Sequence, residues 1–556
     1  MYIFQRLSRT LFAMTALVVA TSASAKFYDF EVAGLFYSIN EGGTTVTLSH
    51  NGEGIYDSDY TGDIVIPAEV TYDGKTYTVT AIGEYAFYGC VDVSSVKMPE
   101  TITKIGDFAL YYCHGLSEVE IPGSVTEICK SAISFCGGLT SLTIPNSVTV
   151  IGDMAFMNCG NLVSIEIGNS VETIGSCAVA HCYKLKSIHI PASVTFIGED
   201  QFERCDCLES ITVDADNPIY DSRDNCNAII ETATNTLIGA CNKSFIPGTV
   251  TTIGGYAFCG CASMTSIEIP NSVTTIREYS FWDCNSLETL NIPSSVSLIE
   301  MHTFGLLNSL KAITVDGDNA VYDSRRNCNA IIESSSNRLI VGCQSTTFPD
   351  DIVSIGEAAF FGCSGLESVA LPSTVTSVES RAFTGCKGIT TVDLGSSVET
   401  IGDAAFGSCA GLTAIEIPAS VNSLGVRVFY GCVGLQKVTS ANPVPPVANE
   451  NTFMTIPETC VLYVPEGSIG AYQAATGWDY FSDVKSMEEG VASIALDNIK
   501  VRLVGDIISI EGAPDGAEVQ IYDVAGRCIY RGTARQVPVA QRGIHLIKVA
   551  GHIIKI

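Results

Sequence analysis

HGLSEVEIPGSVTEI, residues 114–128, holds the structural logic of the whole chain. Leu116, Val119 and Ile121 follow a Leu-x-x-Val-x-Ile spacing. In a strand of period two, Val119 and Ile121 turn to one side, and Glu118 and Glu120 to the other. Pro122 ends that strand, because it has no amide to donate to a neighbour. Val125 and Ile128 then turn a second edge inward. An element this short cannot bury so many apolar groups alone, so it must stack on copies of itself. The copies are present. A central apolar residue recurs at Phe87, Leu110, Ile133, Phe156, Val179 and Phe202, at Phe258, Phe281 and Phe304, and at Phe360, Phe383, Phe406 and Phe429. The spacing is 23 within each group and 56 between groups, so thirteen units are in phase and two 33-residue insertions interrupt them.

A fixed period in the range of about 20–29 residues with this apolar pattern signals a leucine-rich-repeat solenoid. The expected fold class is therefore a solenoid of parallel β strands in 23-residue coils, mixed α/β, with two β-hairpin insertions and a small C-terminal antiparallel β-sandwich. The expected organisation is a signal peptide over 1–25, an N-terminal β cap over 26–78, and a solenoid over 79–440 with insertions at about 214–246 and 316–348. A C-terminal cap follows over 441–487, then the sandwich over 488–556, where short alternating runs replace the 23-residue period.

The insertions are copies of each other. Residues 214–241 and 316–343 are identical at 18 of 28 positions. Each is expected to be a self-contained hairpin growing from a loop. With a turn at Ala233-Thr234, Cys226 would lie opposite Cys241, and by the same count Cys328 opposite Cys343. Opposed residues in an antiparallel pair lie about 4.5–5.5 Å apart, within disulfide range. Two staples, or four free thiols, are the alternatives. The run DADNPIYDSRDN, residues 214–225, has the look of a calcium loop, but Pro218 and Ile219 stand where a ligand and a glycine are needed. Asx turns account for it better.

Composition narrows the function classes. The formal net charge of −30, with no basic cluster, argues against nucleic acid and anionic membrane surfaces as partners. Arg6 and Arg9, the apolar run 11–20 and the small residues Ala23-Ser24-Ala25 make a secretory signal, and no later run is long enough to span a bilayer. Twelve of the 22 cysteines sit three residues after the central apolar position, where the unit around Phe304 has Leu307. A place that accepts leucine is a packing place, so a ladder of buried thiols is expected, and no zinc knuckle. The seven histidines lack ligand spacing, and no phosphate loop or nucleophile elbow occurs. No catalytic residue, no metal site and no cofactor is expected.

The units LTSLTIPNSVTVIGDMAFMNC (139–159) and the insertion DNPIYDSRDNCNAIIETATNTLI (216–238) resemble BspA-type leucine-rich-repeat surface proteins of Bacteroidota-like bacteria. GDIVIPAEVTYDGKTYTVTAIGEYAF (62–87) and LYVPEGSIGAYQAATGW (462–478) look like the ends usual for that family, and the resemblance covers roughly residues 30–485. It implies surface exposure and adhesion to host extracellular-matrix proteins or to other bacteria. VQIYDVAGRCIYRG (519–532) followed by GIHLIKVAGHIIKI (543–556) is similar to type IX secretion sorting domains, which implies placement at the outer-membrane cell surface. A glycan-binding surface protein is the alternative, though the outward strand positions hold no Trp, Tyr or Phe.

The expected binding surface is the residue between the two inward positions of each strand. That row reads Lys97, Glu120, Thr143, Glu166, His189 and Thr212, then Glu268, Asn291 and Thr314, then Ala370, Asp393, Glu416 and Thr439. A parallel row of small residues, such as Ser141, Ser164, Ser187, Ser210 and Ser266, lies two residues earlier.

Overall fold

The computed structural model of the protein describes residues 28–50, 60–487, 500–504, 507–511, 517–523, 527–533, 536–538, 546–549 and 552–555. The expected signal peptide lies outside them. Two compact units are present: the chain through Ser335 with Val341–Thr346, and Ser336–Ile340 with everything from Thr347. Among the described residues, no helix is long and apolar enough to cross a membrane.

Each coil contributes two short strands that pair in parallel with the same residues one period away. In the first unit Lys104–Ile105, Glu127–Ile128, Val150–Ile151, Thr173–Ile174 and Phe196–Ile197 form one ladder. Ser141–Thr143, Ser164–Glu166, Ser187–Ile190 and Ser210–Val213 form another. In the second unit the register Ser377↔Thr400↔Ser423 repeats the arrangement. Parallel stacking in register follows from the 23-residue period, because every coil presents the same inward side chains to the next.

The third side of the coil corrects the mixed α/β expectation. It is a tight turn with no helix, and the one α-helix among the described residues is Ile469–Ala474. The cause is a pair of left-handed residues bracketing each Ala-Phe segment, such as Ser131 (φ 52°) with Phe135 (φ 59°), or Met154 (φ 56°) with Asn158 (φ 60°). A right-handed helix cannot propagate through them.

The central apolar residues stack through the core. Phe258, Phe281 and Phe304 follow one another at 5.1 and 5.5 Å in the first unit. In the second, Phe360, Phe383, Phe406, Phe429 and Phe453 follow at 5.0, 5.2, 6.0 and 5.5 Å. Phe453 lies in the segment expected as a cap. There the parallel pairing runs on: Val461–Val464 pairs with Lys437–Ser440, and Asp483–Ser486 with Val461–Val464. Trp478 closes the stack 5.0 Å from Phe453, its Nε1 donating to the Pro446 carbonyl at 2.8 Å.

The twelve ladder cysteines are buried free thiols. They also do something leucine cannot. Cys113, Cys136 and Cys159 each donate a thiol proton at 3.1 Å to the carbonyl of the central residue one coil back, Phe87, Leu110 and Ile133 respectively. Cys386, Cys409 and Cys432 do the same to Phe360, Phe383 and Phe406. Burial pushes the Cys432 thiol up to about 12, so the proton needed for the bond stays in place.

The insertions are not outgrowths. Ala228–Glu231 and Thr236–Ala240 make the first hairpin, and Thr236 and Leu237 then pair in parallel with Thr252 and Ile253. The hairpin thus starts a new parallel ladder, which runs on through Thr275–Ile276 to Leu298–Ile299. The preceding ladder ends at Phe196–Ile197, where the exposed edge is closed by a side chain: the Ile197 amide donates to the Tyr220 hydroxyl at 3.1 Å. At the second insertion the Ile299 amide donates to Tyr322 at 2.9 Å. The loop between is shaped by Asx turns, as expected. Asp214 Oδ1 accepts from the Asp216 amide, and Asn217 Oδ1 from Ile219 and Tyr220.

Of the two alternatives for the insertion cysteines, the structure has the free thiols. Cys226, Cys241, Cys328 and Cys343 are free and buried. The first hairpin turns at the expected place but carries a bulge between Ile229 and Ile230, so Ala228 faces Ala240 and the register no longer brings Cys226 to Cys241. The Cys226 sulfur instead faces the Ala228 carbonyl at 3.8 Å, and the Cys241 sulfur that of Asn227 at 3.8 Å.

Residues 500–504, 507–511 and 536–538 form one antiparallel sheet, and 519–522, 528–532, 546–549 and 552–555 another. Val501, Ile508, Val519, Ile521, Val537 and Ile547 make a common core between them. Two antiparallel sheets are compatible with the alternating runs.

Candidate binding surface

The outward row is exposed at Lys97, Glu120, Thr143, Glu166, His189, Thr212, Glu268, Asn291 and Thr314 in the first unit, and at Ala370, Asp393 and Glu416 in the second. Pairing places its members side by side: Lys97 beside Glu120, Thr143 beside Glu166, His189 beside Thr212, and Asn291 beside Thr314. In the second unit Ala370 lies beside Asp393, and Glu416 beside the half-buried Thr439. Neighbours one strand apart are about 4.8 Å apart, so their side chains touch. Thr314 Oγ1 donates to Asn291 Oδ1 at 2.9 Å, and His189 Nδ1 lies 3.0 Å from Thr212 Oγ1. His189 Nε2 also lies 3.9 Å from Asp214 Oδ2, at the start of the first insertion. Ser141, Ser164, Ser187 and Ser266 of the parallel row are exposed and Ser210 is half-buried, leaving the longer carboxylates standing clear.

Strand-based reasoning missed a second surface. The left-handed turns of the first coils carry an aromatic ledge: Tyr85 stacks on Phe108 at 5.2 Å and 7°, Tyr88 on Tyr111 at 5.1 Å and 11°, and Tyr112 packs on Phe135 at 5.8 Å. Tyr112 is exposed and the others half-buried. Each pair is separated by one 23-residue period, so the signal was present in the sequence, on a face other than the strands.

A third grouping is buried. Asp200, Glu203 and Cys259 bring a carboxylate oxygen each and the thiol sulfur within 4.8 Å of one another, against the expectation that no metal-type cluster exists. Sequence spacing did not predict it, because the first insertion lies between Glu203 and Cys259.

The BspA type leucine rich repeat region model matches in six copies over residues 77–218, 238–330 and 330–456, more than half of the chain. The chain belongs to this family. Its solved neighbours are distant. A leucine-rich repeat protein from Bacteroides ovatus is 23% identical, with 83% of this chain and 100% of that one covered and a TM-score of 0.37. A leucine rich cell surface protein from Faecalibacterium prausnitzii is also 23% identical, with 84% and 96% covered and a TM-score of 0.35. The pneumococcal vaccine antigen PcpA is 18% identical, with 84% and 99% covered and a TM-score of 0.42. No curated protein matches the chain in sequence. Proteins of this family are cell-surface proteins, and leucine-rich-repeat proteins generally bind other proteins and are not enzymes.

Proposed function

We propose that this protein is an adhesin-like, non-enzymatic binding protein of the cell surface, engaging a host extracellular-matrix protein or a bacterial surface protein through the outward strand row. The observation that carries the reading is the exposed row itself: carboxylates at Glu120, Glu166, Glu268, Asp393 and Glu416 set among hydroxyl and small neighbours. Such a face attracts basic segments of a partner, with more effect on encounter rate than on affinity. Replacing those five carboxylates with Gln is expected to leave folding unchanged, since exposed substitutions stay within about 0.5 kcal/mol each. Association with a partner found in a matrix-protein screen should slow, and its salt dependence should flatten. An unchanged association rate and salt slope would remove the row as the binding face.

Glycan binding is the second reading, and the aromatic ledge favours it, because stacked rings present flat apolar faces to sugars. A glycan array run beside the matrix screen separates the two.

Export and attachment are inferred from the two ends of the chain. The first 25 residues serve as a secretory signal and residues 488–556 as a sorting domain, supported by the motifs of each and by the two antiparallel sheets of the latter. Deleting Leu503–Ile556 is expected to strand the protein in the periplasm. Unchanged surface display in that deletion rejects the sorting role.

A further inference from the structure

The coil that precedes the first insertion departs from the repeat. Where other coils have runs such as Ser131-Ala132-Ile133-Ser134 or Ala404-Ala405-Phe406-Gly407, this one has Asp200-Gln201-Phe202-Glu203. Asp200, Gln201 and Glu203 are only 5%, 4% and 8% exposed. Gln201 has a structural explanation. Its Nε2 donates to the carbonyls of Gly175 (2.6 Å) and Gly198 (3.1 Å), and Thr303 plays the same part before the second insertion, donating to Arg277 and Glu300. Asp200 and Glu203 have no such counterpart, since His302 and Gly305 stand at the equivalent places.

What they meet is Cys259, which comes from the coil after the insertion and stands outside the cysteine ladder, whose member there is Cys261. Cys259 is 2% exposed. Around this trio, His181 Nε2 lies 3.3 Å from Glu203 Oε2, and Cys177 Sγ lies 3.9 Å from Asp200 Oδ2. Asp200 Oδ1 is buried with no hydrogen-bond partner. Burying such an oxygen is costly unless something pairs with it.

We propose that Asp200, Glu203 and Cys259 bind one Zn2+ ion, with His181 holding Glu203 in position from outside. The donor set chooses the metal. Calcium and magnesium take oxygen ligands, whereas a sulfur beside carboxylates suits zinc, which holds ligands at about 2.0–2.3 Å. A spread of 4.8 Å between donor atoms is one that a single ion can draw together. On binding, the ion displaces the proton of the Cys259 thiol and any proton carried by Asp200, and these protons pass to solvent. The consequence is mechanical. Zinc ties the coil before the first insertion to the coil after it, across the place where the hairpin interrupts the chain.

The test uses the mature chain carrying Cys207→Ser and Cys528→Ser, which removes its two exposed thiols. After dialysis against a chelator, titration with Zn2+ is expected to give one site per chain. Co2+ in its place should give a thiolate-to-cobalt charge-transfer band. Cys259→Ser should abolish that band. Asp200→Asn should weaken Zn2+ binding by more than about 100-fold, and His181→Gln by about 10–100-fold. Asp200→Asn keeps shape and adds no buried charge, so without zinc it should melt no lower than the parent, while only the parent gains stability from added Zn2+. Absence of a stoichiometric zinc site, a cobalt band that survives Cys259→Ser, or equal affinity for Ca2+ would each overturn the assignment.

Discussion

Phe383→Ala is expected to destabilise the second unit by about 3–5 kcal/mol, the cost of emptying a fully buried aromatic position. Phe383 is 0% exposed and lies between Phe360 at 5.0 Å and 16° and Phe406 at 5.2 Å and 9°. Removing it breaks two ring contacts, each worth about 0.5–1.5 kcal/mol beyond the area buried. Position in the array matters as much as size. Stability in a solenoid is close to a sum over coils and their interfaces, so a lesion in the middle of a stack weakens both neighbouring interfaces. The protein has two tryptophans, Trp282 in the first unit and Trp478 at the end of the second unit's stack. In a Trp282→Phe background, Trp478 fluorescence therefore reports the second unit alone. The denaturant midpoint of that signal should fall in Phe383→Ala, whereas Ile133→Val in the first unit should cost only about 0.5–1.5 kcal/mol. An unchanged Trp478 midpoint would mean that the phenylalanine stack is not what holds these coils together.

The same stack shows what sequence reasoning can reach. Period, strand positions, inward residues and the thiol ladder all follow from one repeated unit, because burial in a solenoid is decided by neighbours that are identical to it. The mixed α/β expectation failed because left-handed residues such as Met154 and Asn158, which rule out a helix there, are not marked by glycine. Backbone conformation there is imposed by stacking, and glycine records it only in some coils, at Gly89, Gly260, Gly362, Gly385 and Gly431. The ring stack also runs on into the expected cap over 441–487. Phe453 follows Phe429 by 24 residues, so a strict period of 23 passes over it although the stack continues. The register of the first hairpin turns on a single bulge, which a count of residues cannot see. The acid and thiol cluster needs a contact across the first insertion, and periodicity carries no information about what the chain brings together after a break. The outward row, by contrast, was legible residue by residue, since strand alternation alone places it.

Asn217→Ala is expected to loosen the first insertion by about 2–4 kcal/mol, from buried groups left unpaired at about 1–3 kcal/mol each and partly rescued by water. This side chain, 8% exposed, makes four bonds at once. Its Nδ2 donates to the carbonyls of Pro191 at 2.8 Å and Val194 at 3.0 Å, and its Oδ1 accepts from the amides of Ile219 at 2.9 Å and Tyr220 at 2.8 Å. The first pair lies in the coil that ends one parallel ladder. The second lies in the loop that leads to the hairpin starting the next, so Asn217 is the joint between them. It also sets Tyr220, whose hydroxyl covers the Ile197 amide at the ladder's edge. Asn319 repeats the four bonds with Pro293, Val296, Val321 and Tyr322, which is a physical reason for two insertions to keep nearly the same sequence. Asn217→Asp discriminates further. It keeps the acceptor for the two amides but turns a carboxylate oxygen toward two carbonyls, so it should be destabilising as well, and less so once acid protonates it. Hydrogen exchange reads the effect locally: protection should drop at Ile197, Ile219 and Tyr220 in either variant, and at Ile299 and Tyr322 in Asn319→Ala. If Ile197 keeps its protection in Asn217→Ala, the ladder edge is closed by something other than this joint, and the repeated sequence needs a different cause.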